Sequence, residues 1–244
     1  MAIVSARVRT AQMVASNVIH LQIERPDGYA WQLGQFARIG LNVAGEEVFR
    51  AYSIASTPES DTIDFFIAHV TDGALSPRLH ALQAGDDLLL DTEVNGTLLP
   101  SRLEEGGKYL WLMSTGTGVA PFIAMLSDRA LLDQYERVIL VHGVRTWDES
   151  GYLSRHIVPD PKIQVICSVT REEGAMLTER IPEALESGAL EKIAGIAIEQ
   201  ATSRVLLCGN PGMVKGVRNH LKSRSMVSPR AGKPGQVLAE NFWL

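Results

Sequence analysis

Only two cysteines occur in the 244 residues, Cys167 and Cys208, and neither belongs to a CxxC pair. An iron–sulfur cluster normally takes four thiolates, so these two cannot by themselves hold one. Reduced thiols are the plain reading, and a cytoplasmic location is expected. No apolar run approaches the length of a membrane span, so membrane insertion is not expected. Residues 1–7 lack both an apolar core and a cleavage signal, so no secretory peptide is expected. Positive charge is not in excess either: 23 Lys and Arg against 28 Asp and Glu leave a net charge of −5. That balance argues against nucleic acid as a general partner. Internal repeats and low-complexity tracts are absent. What remains is an ordinary globular composition, with length for one large domain or two ordinary ones. A monomer is the default expectation.

The first half alternates with a period of two. Val4, Ala6 and Val8 are separated by Ser5 and Arg7, and Ile19, Leu21 and Ile23 by His20 and Gln22. That is the pattern of half-buried strands. Further strands are expected at 36–41, 48–54, 62–70 and 88–91, punctuated by Pro26-Asp27-Gly28 and Ala84-Gly85-Asp86. So many short strands imply a sandwich or small barrel. One short helix is expected at 76–82, with Ser76 as its N-cap and Pro77 as its first helical residue. The second half changes character. Continuous apolar runs at 109–113, 138–141, 163–166 and 205–207 alternate with segments of helical spacing such as Pro121-Phe122-Ile123-Ala124-Met125-Leu126. This alternation predicts a parallel sheet covered on both faces. A final strand is expected at 236–240. The change near 101–107 divides the chain into an antiparallel β domain, 1–101, and an α/β domain, 102–244.

Two stretches carry chemistry. Arg50-Ala51-Tyr52-Ser53, on a strand end, offers a cation, an aromatic face and a hydroxyl. Taken alone it reads more readily as an exposed Arg beside a core Tyr. Ser114-Thr115-Gly116-Thr117-Gly118-Val119-Ala120-Pro121 is a Gly-rich turn between a buried strand and a helix, suited to a phosphate-bearing ligand. It lacks the GxGxxG spacing of the usual dinucleotide fingerprint. Two nucleotide-type sites in one chain suggest a flavin in one and a nicotinamide in the other. Asp72-Gly73-Ala74-Leu75-Ser76-Pro77-Arg78-Leu79, His142-Gly143-Val144-Arg145, Thr170-Arg171-Glu172, Cys208-Gly209-Asn210-Pro211-Gly212-Met213 and Ala239-Glu240-Asn241-Phe242-Trp243 complete the set. Each is weak alone; seven in this order are specific.

With these motifs, the chain resembles the bacterial ferredoxin/flavodoxin–NADP reductase family over nearly its whole length. The resemblance implies an antiparallel β-barrel that holds FAD, followed by an NADP-binding α/β domain. It implies that Arg50 binds FAD phosphate, that Tyr52 lies against the isoalloxazine with Ala51 beside it, and that Ser53 sits near the reactive N5 edge. It places the FAD pyrophosphate on Ala74, Leu75 and Ser76, and the adenosine half on Phe66, Ile67, Ala68 and His69. Thr117 also falls near the flavin. Phe242 is expected against the outer flavin face and Trp243 against a folded-back adenine, although Leu244 departs from relatives that stop at the Trp. NADP contacts are implied for Thr115, Gly116, Val144, Arg145, Thr170, Arg171, Arg180, Cys208, Gly209, Asn210 and Met213. Arg145, Arg171 and Arg180 are expected at or beyond strand C-termini, where they would select NADP by its 2′-phosphate. Cys208 would line the nicotinamide pocket without acting as a nucleophile, and Glu240 matches a carboxylate near the reaction centre. Ser53, Cys208 and Glu240 are thus the candidate catalytic residues, and no metal is implied.

The implied activity is hydride exchange with NADP(H) and single-electron exchange with ferredoxin or flavodoxin. A free-flavin reductase and a non-enzymatic flavin-binding relay subunit are the alternatives. An oxygenase-type reductase would need an iron–sulfur module that the cysteines do not supply. Acidic carriers would favour a local basic patch, for which Lys215, Lys222, Arg224, Arg230 and Lys233 are candidates.

Overall fold

The computed structural model describes residues 2–230 and 233–241. Along the chain run β1 Ile3–Ala15, β2 Val18–Glu24, β3 Phe36–Val43, β4 Glu46–Ser53, β5 Thr62–Ala68, α1 Ser76–Leu79 and β6 Asp87–Asp91. There follow β7 Tyr109–Thr115, α2 Ala120–Leu126, α3 Arg129–Leu132, β8 Arg137–Val144, α4 Leu153–His156 and β9 Ile163–Val169. The chain continues through α5 Ile181–Glu186, α6 Ala189–Ala194, β10 Ser203–Gly209, α7 Pro211–Ser223 and β11 Val237–Asn241.

The first six strands form one antiparallel sheet in the order β4-β3-β6-β1-β2-β5. Its outer strands come together where the Ala55 N–H, just past β4, donates to the Asp64 carbonyl of β5 at 2.8 Å, curling the sheet into a barrel. The period of two explains the interior. Ala6 and Val8 of β1, Leu21 and Ile23 of β2, and Ile63, Phe65 and Ile67 of β5 fill one apolar core with Leu88 and Leu90 of β6.

The last five strands form a parallel sheet in the order β11-β10-β7-β8-β9. Its strands are apolar on both faces because both faces are covered. Trp111, Met113, Val205 and Leu207 pack under α5, α6 and α7. Leu110, Leu112, Leu140 and Leu206 pack under α2, every residue of which is buried, and toward Val18 and Phe66 of the barrel. Removing one such Leu side chain from water stabilises the fold by roughly 1.5–3 kcal/mol.

One device fixes the start of the α/β half and another joins the two halves. Arg204, 3% exposed, donates from Nε to the Glu104 carbonyl at 2.5 Å and from Nη2 to that of Glu105 at 2.7 Å, fixing the segment that leads into β7. Phe66 of the barrel stacks on His20 at 4.7 Å between ring centroids and on Tyr152, beside α4, at 5.0 Å, while His156 meets both His20 and Phe66 edge-on. Among the described residues no helix is long and apolar enough to cross a membrane.

Candidate active site between the barrel and the parallel sheet

Parallel pairing sets Glu240 of β11 beside Cys208 of β10, Cys208 beside Ser114 of β7, and Ser114 beside His142 of β8. Residues paired in register share a face, so these four form a polar row near the C-terminal ends of apolar strands. Ser53, at the end of β4, reaches this row and shares a hydrogen bond with the Cys208 side chain. Residues from three distant parts of the sequence thus meet where the barrel abuts the sheet. Burial pushes the Cys208 thiol well above its ordinary value and the charge of Glu240 pushes it further, against the opposing Ser53 bond. A thiol so held stays protonated and is a poor nucleophile. Burial likewise pushes the Glu240 carboxyl up to about 7, against a backbone hydrogen bond at Thr97. His142 is fully buried, its Nδ1 2.9 Å from the Ser114 hydroxyl, and desolvation lowers its imidazole to about 4. It is neutral at physiological pH.

Glu240 gives a testable pH dependence. Between its ordinary value of 4.5 and about 7 the folded chain holds a proton that the unfolded chain has released. Stability therefore falls as pH rises through that window, and the loss is complete above it. Glu240→Gln removes this contribution. The melting temperature of the variant relative to the parent should rise from about pH 5 to about pH 8. A difference that stays constant would mean that the carboxyl is ionised throughout.

Beside Ser53, alternation puts Arg50 and Tyr52 on one face of β4, Arg50 exposed and Tyr52 half-buried against Phe65 at 6.4 Å. Ala51 between them is exposed on the other face. Burial raises the Tyr52 phenol to about 12, partly offset by the Arg50 charge, so the hydroxyl is a donor. The backbone N–H groups of Ala74, Leu75 and Ser76 have no partner among the described residues, which leaves an anion cradle at the turn before α1. Ser76 does not cap that helix. Leu75 occupies the cap position without a side-chain bond, and the Ser76 hydroxyl instead accepts the Val70 N–H at 3.0 Å. The helix is also shorter than its apolar pattern implies, ending at Leu79 rather than 82. At the end of β5 the quartet of Phe66, Ile67, Ala68 and His69 divides. Phe66 spends its ring in the stack with His20 and Tyr152, and Ile67 points into the barrel core, so both offer a ligand only backbone. Ala68 is half-buried and His69 exposed, the latter ring edge-on to His80 at 5.1 Å.

A cleft of about 700 Å³ opens over the ends of β7, β8 and β9. Of the expected coenzyme residues, Thr115, Gly116, Val144, Arg145, Thr170, Arg171, Arg180, Asn210 and Met213 line it, as do Thr117 and Ala68 from the flavin set. Cys208 and Gly209 lie buried beside it. Gly116 has φ +53° and open space where a side chain would be, so a ligand can approach its backbone. The Thr115 hydroxyl accepts the Asn210 N–H at 2.8 Å, tying the loop after β7 to the loop after β10. Asn210 itself caps α7 by accepting the Gly212 N–H at 2.8 Å.

Three guanidinium groups enter this cleft. Arg145 follows β8 directly and Arg171 follows β9 after Thr170, and the Arg171 N–H donates to the Arg145 carbonyl at 2.9 Å, so the two lie side by side. Arg180 arrives differently. It immediately precedes α5 and follows β9 by a long loop, so a helix start and not a strand end presents it. Glu149, Asn17 and Tyr152 are among the lining residues that sequence reasoning missed. Glu149 lies one helical turn beyond Arg145, a spacing that was readable; Asn17 and Tyr152 carry no local signal. The Asn17 Oδ1 and Tyr152 hydroxyl are buried with no partner among the described residues. Exposed cations, an approachable Gly-rich backbone and orphaned polar atoms together fit a phosphate-bearing nucleotide. Phe242 and Trp243 lie outside the described residues.

Comparison with known proteins agrees with this geometry. Residues 5–94 match the oxidoreductase FAD-binding domain family, and residues 112–219 match the oxidoreductase NAD-binding domain family. The flavodoxin/ferredoxin–NADP reductase of Escherichia coli is 34% identical over 219 residues, 86% of this chain and 87% of its own length. The ferredoxin–NADP reductase of Pseudomonas aeruginosa is 36% identical over 233 residues, 90% of each chain. The crystal structure of a ferredoxin NADP+ reductase from Neisseria gonorrhoeae with bound FAD and NADP superposes with a TM-score of 0.91 at 29% identity, covering 99% of both chains. A barrel whose strand end meets a parallel sheet with an arginine-lined cleft, with this likeness over nearly the full length, places the chain in the flavodoxin/ferredoxin–NADP reductase family.

Proposed function

We propose that this chain is an FAD-dependent enzyme that exchanges hydride with NADP(H) and single electrons with ferredoxin or flavodoxin. The observation that carries this reading is the meeting of Ser53 from the barrel with Cys208 and Glu240 of the sheet, beside a cleft lined by three arginines. In this reading residues 1–101 hold the flavin and residues 102–244 hold the coenzyme. When bound, FAD supplies hydride acceptance and one-electron release. The chain supplies alignment. Arg50 and the amides of Ala74, Leu75 and Ser76 hold flavin phosphates, and Tyr52 offers its ring face. Cys208 walls the nicotinamide pocket as a neutral, small side chain. Ser53 offers a hydroxyl at the reacting edge, and Glu240, held near neutrality, can keep or release a proton there. Thr115, Gly116 and Asn210 contact the coenzyme through the two tied loops, and Arg145, Arg171 and Arg180 take its 2′-phosphate.

The purified protein should be yellow, with a flavin spectrum that bleaches on adding NADPH without air. A colourless protein that gains activity only with added free flavin would instead make flavin a substrate.

The electron carrier is expected to be acidic. Lys215, Arg218, Lys222, Arg230 and Lys233 line a groove of about 830 Å³ along α7, and among the described residues no carboxylate side chain lines it. Arg224 is not part of this patch: its guanidinium is held by Glu191 at 2.6 and 2.9 Å. Carrier reduction at low carrier concentration should slow several-fold as salt rises, because the Debye length shrinks from ~10 Å at 0.1 M to ~3 Å at 1 M. A rate independent of salt would rule out electrostatic docking. The free thiols fit a cytoplasmic location, and a monomer stays the default proposal.

A further inference from the structure

Arg145 is the one arginine of the three whose guanidinium is engaged in an ion pair among the described residues. Its Nε donates to Glu149 Oε1 at 3.0 Å and its Nη2 lies 2.8 Å from the same oxygen, while its backbone N–H donates to Glu149 Oε2 at 2.8 Å. Both carboxylate oxygens therefore grip Arg145. The grip occupies the inner edge of the guanidinium and leaves the Nη1 and outer Nη2 hydrogens, the edge that matches a phosphate bidentately.

The two partners are unequal. Glu149 is 15% exposed and Arg145 is 54% exposed, so the carboxylate is the anchor and the arginine the projecting part. The anchor is itself fixed. Glu149 sits on a single 3₁₀ turn, residues 148–150, whose neighbour Asp148 accepts the Ser16 N–H of the barrel at 2.7 Å. On the other side the Trp147 N–H donates to Glu172 at 2.5 Å and the Trp147 indole N–H to the Glu173 carbonyl at 3.2 Å. These bonds tie the turn to the segment that carries Arg171. A long, flexible arginine loses less freedom on binding a ligand when its stem is already held.

We infer that Glu149 is a positioning residue for coenzyme selection: it holds Arg145 so that its free edge faces the 2′-phosphate of NADP(H). The inference rests on the reading of the arginine cleft as the coenzyme site. It runs against the simple expectation that a carboxylate in an anion cleft only repels its ligand.

The test is steady-state kinetics of the flavin-loaded enzyme with NADPH and NADH for E149A, R145A and the double variant. E149A should lower the NADPH-to-NADH ratio of kcat/KM about tenfold, the loss falling in the KM for NADPH with kcat held. In the R145A background E149A should lower that ratio no further, because Glu149 acts through Arg145. E149Q keeps the one oxygen that both guanidinium nitrogens use and should show a smaller loss, about threefold. Equal losses with both coenzymes would assign Glu149 a merely structural role and overturn the inference. So would a rise in the ratio, which would make Glu149 a competitor of the phosphate, or a further fall in the double variant. If R145A lowers the ratio and E149A does not, the coenzyme site stands and the role of Glu149 falls. If R145A leaves the ratio unchanged, both fall.

Discussion

Replacing Arg145 and Arg171 together by Ala should lower kcat/KM for NADPH about a hundredfold and leave NADH turnover near the parent level. Each lost charge-assisted contact to a phosphate is worth ~1.5–3 kcal/mol, and 1.4 kcal/mol is a factor of ten in affinity. NADH lacks the 2′-phosphate and has nothing to lose at these positions. The two losses need not add, because the Arg145 carbonyl holds the Arg171 N–H and the side chains are neighbours. Kinetics with both coenzymes decide the matter. An equal fall with NADH would place these arginines against some other part of the ligand.

Gly118→Ala is expected to be a strongly damaging single-methyl change in the site. An added Cβ would stand 2.4 Å from the Cys208 carbonyl oxygen, 2.8 Å from its carbon and 2.9 Å from the Gly209 Cα, all of them backbone. Nothing there can swing aside, so the loop after β7 must lift off the end of β10. Overpacking of this kind costs ~1–3 kcal/mol, or roughly 2–12 °C of melting temperature for a chain of this size. The same shift pulls Cys208 away from Ser53, so flavin retention should weaken as well. Gly116→Ala is the control. It adds a methyl group to open space and pays only the left-handed backbone cost, about 1–2 kcal/mol, without separating the loops. If Gly118→Ala melts within a degree of the parent, the close approach does not hold the site together.

Which parts of this were legible in the sequence follows from the range of the interactions involved. The period of two in β1 and β2, and the apolar runs of β7 to β10, record burial of each residue against its immediate layer. They identify barrel and parallel sheet without knowledge of the partners. The coenzyme cleft was legible for a related reason: the ends of parallel strands converge, so Thr115, Val144 and Thr170 meet because of topology. What the sequence hides are side chains claimed by a partner outside their own local pattern. Ser76 has the identity and position of a cap, but the Val70 N–H claims its hydroxyl. Phe66 carries no local sign that Tyr152, far along the chain, stacks on its ring. Arg224 belongs by sequence to a basic cluster, yet Glu191 withdraws it. A local pattern cannot report such partners.

The ring stack of His20, Phe66, Tyr152 and His156 turns the seam between the two halves into the fulcrum of a lever. The barrel carries Ser53 on one arm and the sheet carries Cys208 and the arginine cleft on the other. A small rotation about the stack is magnified at the ends of the arms, where donor and acceptor atoms must meet. Misplacement by 1 Å can cost on the order of a hundredfold in rate. Side chains away from the Ser53–Cys208 meeting point thereby help to set the mechanical tolerance of the proposed reaction, and a substitution that loosens their packing would be felt as lost turnover before it was felt as lost stability.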